Sequence, residues 1–295
     1  MFKRCDNLKN YFNLMRVKHY IKNLLIFLPL FFNGGIFTYK IINCILGFIS
    51  FCFLSSIIYV INDINDIEED KRHPIKKSRP LASGDITLNK AKILILILIL
   101  IIFLIQIICF KYFMISVSSC YYLVIYFVVN LAYSLGLKNI PIVDLLLLAS
   151  GFLIRVLYGG AVVDIPISNW LFLTVLSLSF YLGLGKRRNE LNKNSDQSRK
   201  SLAKYNINFL DKCLYMFLSL TLVFYSLWTV GGYDYVNQTP MIYTILVVFF
   251  IVMKYSLIIE GDNFGDPVDV VLSDKILVLS IILYILMLGG IIYVF

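Results

Sequence analysis

The chain has 295 residues, of which 59% are hydrophobic and 15% charged, with a formal net charge of +9. A mean hydropathy of +0.81 excludes a soluble domain of this length. The six cysteines form no C-x-x-C pair and the only histidines are His19 and His73, so the sequence offers no His/Cys metal site and predicts free structural thiols.

Nine apolar runs follow one another, and each approaches the roughly 20 residues that a membrane-crossing helix needs. They cover residues 21–37, 41–61, 91–110, 114–133, 140–162, 168–185, 209–231, 240–260 and 276–295. The basic, polar start and the lack of a small-residue cleavage site argue against a signal peptide. Without a repeat or linker, the sequence predicts one all-α integral membrane domain, 1–295, with nine transmembrane helices.

The basic residues between the runs predict the orientation, because short loops rich in lysine and arginine stay in the cytoplasm. With the N-terminus inside, only Lys40 and Lys111 fall outside, and Arg155 lies within a span. The cytoplasmic parts are then the segment 1–20 and the loops 62–90, 186–208 and 261–275. This topology explains most of the positive charge, so the charge does not indicate nucleic-acid binding. We expect a multi-pass plasma-membrane protein whose functional site faces the cytoplasm.

The first long loop begins with a cluster of acids, in the sequence NDINDIEEDKRHPIKKSRPLASGD. If the preceding helix continues through it, Asp63, Asp66 and Asp70 share one face. Carboxylates so close repel one another unless a cation neutralises them, and Mg²⁺ takes such oxygens together with substrate phosphates. The alternative is a solvated helix end, in which the acids pair with the basic residues that follow: Lys71, Arg72, Lys76, Lys77 and Arg79.

Arg155 lies deep in the fifth run, eleven residues after Asp144. The two share nearly the same helix face, about 16 Å apart along the axis. An arginine within the membrane is costly and usually faces a polar cavity with an anionic partner, so Arg155 is a candidate phosphate ligand or one half of an ion pair between helices. Asp144 is a candidate of the same pocket or a helix-start carboxylate. Tyr133 and Lys138, beside the preceding turn, are further candidate substrate contacts.

Two other basic clusters face the cytoplasm. Lys18 and Lys22 lie one turn apart before the first span, either to capture the phosphate of a lipid or as a basic membrane-surface helix. Lys186, Arg187 and Glu190, in the stretch GKRRNEL, are expected at the mouth of the site or as ordinary loop residues touching anionic lipid.

The last loop contains a helix-start signal. Asp266, Pro267 and Asp269 read as the N-cap, first and third positions of a helix. Asp262 and Asp274 are further candidate polar contacts for a substrate.

Several of these blocks resemble a known family. NDINDIEED resembles the first aspartate-rich motif of the UbiA prenyltransferase superfamily, and RPLASG resembles the segment that follows it. Five more blocks resemble the polyprenyl-phosphate phosphoribosyltransferase branch: RVKHYIKN (16–23), YSLGLK (133–138), the segment 144–155, GKRRNEL (185–191) and GDPVDVVLSD (265–274). In the first of these, Val17 and Tyr20 stand where the branch tends to have proline and tryptophan.

The resemblance implies a nine-helix UbiA-like α-barrel, Mg²⁺, 5-phosphoribosyl-1-diphosphate as donor and a membrane polyprenyl phosphate as acceptor. Mg²⁺ on Asp63, Asp66 and Asp70 would hold the diphosphate, with Asn62 as a further contact and Lys77 and Arg79 offsetting the remaining charge.

Two other functions remain as alternatives. Prenyl transfer to an aromatic or other acceptor is the commoner superfamily activity, but it uses a second aspartate-rich motif where this chain has the mostly basic GKRRNELNKNSDQSRKS. An ion-coupled transporter would use Asp63, Asp66, Asp144 and Arg155 as gates, but no paired interrupted spans or repeat favour it. The acceptor's chain length and the oligomeric state are left open.

Overall fold

The computed structural model describes residues 2–74, 76–113, 115–192, 201–231, 238–261 and 266–294, and these form helices joined by turns. The α-helices are α1 (Phe2–Leu14), α2 (Leu28–Phe32), α3 (Lys40–Asn65), α4 (Ile67–Arg72), α5 (Leu88–Tyr112), α6 (Ser118–Ser134), α7 (Val143–Val163), α8 (Asn169–Asn192), α9 (Ile207–Gly231), α10 (Gln238–Met241), α11 (Thr244–Gly261), α12 (Pro267–Ser273) and α13 (Lys275–Tyr293). Short 3-10 helices cover Val17–Phe27, Lys76–Ser78, Leu137–Asn139 and Leu202–Lys204.

The apolar runs are helical, but not all are long single spans. In the described part of the chain, six helices are long and apolar enough to cross a membrane: α3, α5, α7, α9, α11 and α13. The apolar helix α6 has only 17 residues, and the first run is divided between the 3-10 helix Val17–Phe27 and α2. Helix α8 ends in the polar sequence KRRNELN. An all-α, multi-pass membrane protein is thus confirmed, whereas the number nine is not.

Helices α3 and α7 are the inner helices of the fold. About 61% and 56% of their most apolar segments are buried, against 17% for α5 and α11. On α5 the side chains of Leu96, Leu100 and Phe103 are exposed, as expected for a surface that faces lipid. The inner helices α3 and α7 also carry buried charged side chains: Asp63 on α3, and Asp144 and Arg155 on α7.

Helix α7 is the hub of the packing. It contacts α2, α3, α6, α8 and the 3-10 helix Val17–Phe27. A Cβ atom on Gly159 would lie only 2.1 Å from the carbonyl oxygen of Ile26. Glycine therefore allows the two backbones to touch, as small residues do where membrane helices cross closely.

The acidic cluster does not lie on one continuous helix. Helix α3 ends at Asn65, Asp66 follows with φ −97° and ψ 10°, and α4 begins at Ile67. Aspartate and asparagine compete with the backbone for hydrogen bonds and favour helix ends, which explains the break in this Asn- and Asp-rich segment. The single-helix geometry expected from the sequence is therefore wrong.

The helix start predicted in the last loop is confirmed. Asp266 is the N-cap of α12, Pro267 is its first residue, and the Val268 N–H donates to Asp266 Oδ1 at 3.0 Å. Asp274 caps α13 and forms an ion pair with Lys254 at 2.9 Å. The predicted loops 186–208 and 261–275 include residues 193–200 and 262–265, among them Asp262, which lie outside the described residues.

Candidate active site

A cavity of about 1000 Å³ opens among the inner helices, lined from α3, α4, α6, α7, α8, the 3-10 helix Val17–Phe27 and the start of α12. Its basic side chains are Arg16, Lys22, Arg72, Lys76, Arg79, Lys138, Arg155 and Lys186, and its carboxylates are Asp66, Glu69, Asp70, Glu190 and Asp266. The predicted site residues at this wall are Asn62, Asp66, Asp70, Lys22, Arg79, Tyr133, Lys138, Arg155, Lys186 and Glu190.

Two arginines bind the acidic cluster at one end of the cavity. Arg16 Nη2 lies 2.5 Å from Asp63 Oδ1, and Arg79 Nη1 lies 3.1 Å from the same oxygen. Arg79 Nη1 also lies 2.7 Å from Asp70 Oδ2, so it bridges two of the aspartates. Asp63, only 2% exposed, is thereby charge-compensated behind the cavity wall.

Asp66 differs from its neighbours, because within the described ranges no protein hydrogen bond or ion pair to its carboxylate is present. Those ranges also contain no preformed group of three His, Cys, Asp or Glu residues that could hold a metal. Mg²⁺ normally keeps several waters and binds one or two carboxylates plus substrate phosphates, so a complete protein cage is not expected. The oxygens of Asp66, Asp70 and Asn62 on the cavity wall fit such an ion.

Arg155 lies at the deep end of the cavity and is only 6% exposed. Its Nε donates to Asn23 Oδ1 at 2.8 Å, its Nη2 to the Tyr126 hydroxyl at 2.8 Å, and its Nη1 to the Gly151 carbonyl at 2.5 Å. All these acceptors are neutral, and no carboxylate of the described chain pairs with Arg155. The guanidinium is thus oriented by the protein but not neutralised by it, which favours an anion in the cavity.

Four lysines line the cavity: Lys22, Lys76, Lys138 and Lys186. Lys138 and Lys186 form no ion pair within the described segments, and Lys22 Nζ lies 2.6 Å from Asp266 Oδ2. Burial opposes ionisation of Asp266, but Lys22 and Lys186 outweigh it and lower the pKa of its carboxyl. Lys18 and Lys77 are exposed and are not among the lining residues; Lys76 lines the cavity in place of Lys77.

His19, just before the first apolar run, was not predicted from the sequence. Burial lowers its pKa to about 4, and the charge of Lys22 adds to the effect. Its buried Nδ1 atom has no hydrogen-bond partner within the described residues, although the ring lines the cavity. A neutral imidazole therefore stands among cations at the cavity wall.

Arg187 and Asp144 lie behind the wall and not on it. Both side chains are 0% exposed, and Arg187 Nε lies 2.6 Å from Asp144 Oδ2. Direct binding of substrate by this pair stays a prediction that its placement does not favour.

The residues that sequence reasoning missed are mostly neutral or belong to motifs recognised only as whole blocks. Arg16 and Asn23 are the first and last residues of the block RVKHYIKN. The resemblance of this block to the family is therefore the signal that could have identified them. Tyr59, Tyr126 and Asn130 lie inside apolar runs, where nothing distinguishes them from packing residues.

Comparison with known proteins agrees with this architecture. The chain matches the UbiA prenyltransferase family model over residues 26–267. It is 30% identical to the decaprenyl-phosphate phosphoribosyltransferase of Mycolicibacterium smegmatis, across 95% of this chain and 91% of that protein. Identity to the decaprenyl-phosphate phosphoribosyltransferase of Corynebacterium glutamicum is 29%, across 89% of this chain and 80% of that protein.

Solved structures with the same fold include a UbiA homolog from Archaeoglobus fulgidus bound to GPP and Mg²⁺. It superimposes with a TM-score of 0.70 at 16% identity, covering 97% of this chain and 100% of that one. The chain therefore belongs to the UbiA prenyltransferase family and is a transferase. The family resemblance of the sequence blocks is confirmed.

Proposed function

We propose that this protein transfers the 5-phosphoribosyl group of 5-phosphoribosyl-1-diphosphate to a membrane polyprenyl phosphate, with Mg²⁺ and with release of diphosphate. The acceptor would be held in the plasma membrane and the donor would enter from the cytoplasm. Relatives that match most of the chain carry the name decaprenyl-phosphate phosphoribosyltransferase, which supports this choice.

The observation that carries the proposal is the surplus of positive charge in the cavity. Eight basic side chains face five carboxylates there, and Lys138, Arg155 and Lys186 form no ion pair with a carboxylate in the described structure. The reaction brings together three phosphate groups: the donor's diphosphate, its 5-phosphate and the lipid phosphate. A prenyl diphosphate with a neutral acceptor brings only one such group and would leave part of this charge unused.

The acidic end of the cavity suits the diphosphate. Asp66, with Asp63, Asp70 and Asn62, would hold Mg²⁺ at this end, and the ion when bound would supply stabilisation of the charge on the leaving diphosphate. Arg79, already at this end, is placed to bind the same oxygens and keep the diphosphate in position.

The protein's own task is then positioning. A phosphate of the acceptor lipid is already anionic and needs no general base. The main obstacle is the repulsion between two charged reactants, which Lys22, Lys138, Arg155 and Lys186 offset on the cavity wall. Attack opposite the leaving diphosphate would convert an α-configured donor into a β-linked product.

The test uses purified full-length protein in detergent, with labelled 5-phosphoribosyl-1-diphosphate and decaprenyl phosphate. We expect a labelled lipid that requires Mg²⁺ and disappears with EDTA. Asp66→Asn should abolish turnover while the protein stays folded, and Lys77→Gln, exposed and off the cavity, serves as the matched control. The proposal would be refuted if the wild-type protein formed no labelled lipid. Mg²⁺-dependent turnover of geranyl diphosphate in the same preparation would then support prenyl transfer.

A further inference from the structure

A buried charge network lies directly behind the cavity wall, centred on Arg187 and Asp144. Both side chains are fully buried, and they meet at 2.6 Å. A buried ion pair adds little net stability compared with apolar residues of the same size. Its main effect is to fix the orientation of the side chains that are hydrogen-bonded to it.

On the cavity side, Arg187 fixes two residues of the wall. Its Nη1 donates to Glu190 Oε2 at 2.6 Å, and its Nη2 donates to the Tyr133 hydroxyl at 3.1 Å. Glu190 and Tyr133 both line the cavity, on α8 and α6. One guanidinium thus holds side chains from two helices at the point where substrate would lie.

On the other side, Tyr205 links the network to the turn that carries Lys138. The Tyr205 hydroxyl donates to Asp144 Oδ1 at 2.6 Å and accepts from the Ile142 N–H at 2.6 Å. Ile142 has a φ of +68°, which is unfavourable for a β-branched residue, so this hydrogen bond holds a strained backbone. The Ser201 hydroxyl adds a hydrogen bond to the Lys138 carbonyl at 2.9 Å.

We propose that Arg187, Asp144 and Tyr205 are positioning residues for the transfer reaction. They do not touch substrate; they set the places of Tyr133, Glu190 and the turn bearing Lys138. The inference rests on the proposed function for the identity of the substrate, but the positioning itself does not depend on which group is transferred.

The key variant is Tyr205→Phe, which removes one hydroxyl and keeps the ring. The matched control is Tyr181→Phe, since Tyr181 is buried in the same apolar cluster and its hydroxyl lies 2.7 Å from Ser256 Oγ, away from the cavity lining. Hydrogen exchange of the segment 137–142 in detergent, without substrate, should accelerate in Tyr205→Phe and stay at the wild-type rate in Tyr181→Phe. Equal exchange in Tyr205→Phe and wild type would overturn the proposal.

A double-mutant cycle separates positioning from a general loss of stability. Tyr205→Phe should lower kcat/KM about tenfold in the wild-type background, but less than about twofold in a Glu190→Gln background, because both changes act through Arg187. Independent, multiplicative effects would overturn the proposal. The cycle uses whichever transfer the wild type performs, so absence of phosphoribosyl transfer would refute the proposed function and leave the positioning test intact.

Discussion

At the scale of single residues, Arg155 shows how a charge is kept inside a membrane protein. Gly151, one helical turn earlier, supplies a carbonyl acceptor, while Asn23 and Tyr126 bind the other nitrogens. The rings of Phe51 and Tyr126 lie 5.3 and 4.9 Å from the guanidinium carbon and add cation–π attraction. The arginine is desolvated without being paired, a state suited to binding an anion.

Arg155→Met should therefore abolish turnover and cost less stability than loss of a buried ion pair would, because only neutral acceptors lose a donor and no buried carboxylate is stranded. The melting temperature in detergent should fall by only a few degrees, and donor or acceptor binding should be lost. Arg188→Met is the matched control, since Arg188 pairs with Asp211 off the cavity lining and should keep activity. A loss of several kcal/mol of stability in Arg155→Met would instead show that this arginine is structural.

The sequence predicted that Arg155 would face a polar cavity, because a charge within an apolar run is too costly to leave in contact with lipid. It could not predict the neutral partners. Asn23 and Tyr126 come from two other helical segments. Which side chains meet across helices depends on tertiary packing, which the hydropathy pattern of the sequence does not specify. For the same reason, the sequence placed Arg187 on the cavity, whereas the structure buries it behind the wall.

At the scale of helices, the contact between α7 and the first 3-10 helix depends on Gly159. Gly159→Ala should destabilise the protein by about 1–3 kcal/mol or prevent folding, because the new methyl group would overlap the Ile26 carbonyl. The matched control is Gly289→Ala on α13, where a Cβ meets no atom within 4 Å. Thermal unfolding in detergent measures both; equal melting temperatures would contradict the close contact.

The ion pair of Lys22 and Asp266 joins the first span to α12, and Asp266→Asn should cost about 2 kcal/mol by removing the charge while keeping the cap acceptor. Because the pKa of Asp266 is lowered, its stabilising effect is complete above the ordinary aspartate pKa of about 4 and is lost as pH falls through the lowered value. The free energy of unfolding of the variant should therefore not show this decrease at acidic pH. Identical curves for the variant and the wild type would contradict the contribution.

Helix positions were easier to predict than helix breaks. Apolar length identified α3, α5 and α7 because a bilayer imposes it. The turn at Asp66 and the divided first run depend on local backbone competition and on contacts with α7, which hydropathy does not report.

At the scale of the whole molecule, the orientation in the membrane stays a prediction. Lys77→Cys should react with a membrane-impermeant thiol reagent only after cells are opened, whereas Tyr39→Cys should react in intact cells, since both positions are exposed. The wild-type thiols Cys44, Cys52 and Cys109 are buried, but Cys120 and Cys213 are half-buried, so labelling of the wild-type protein sets the background. Labelling of Lys77→Cys in intact cells would show that the predicted orientation is wrong.

The ion pair between Lys22 and Asp266 spans 244 positions of the sequence. During synthesis the ribosome releases Lys22 well before Asp266, so the helices between them are made before this part of the cavity wall can be completed. A nascent chain that stalls before Asp266 would hold the acidic cluster and Arg155 but lack the carboxylate that faces Lys22 and Lys186. Translation products that end before Asp266 would thus lack the carboxylate that pairs with Lys22, and their cavity wall would be incomplete.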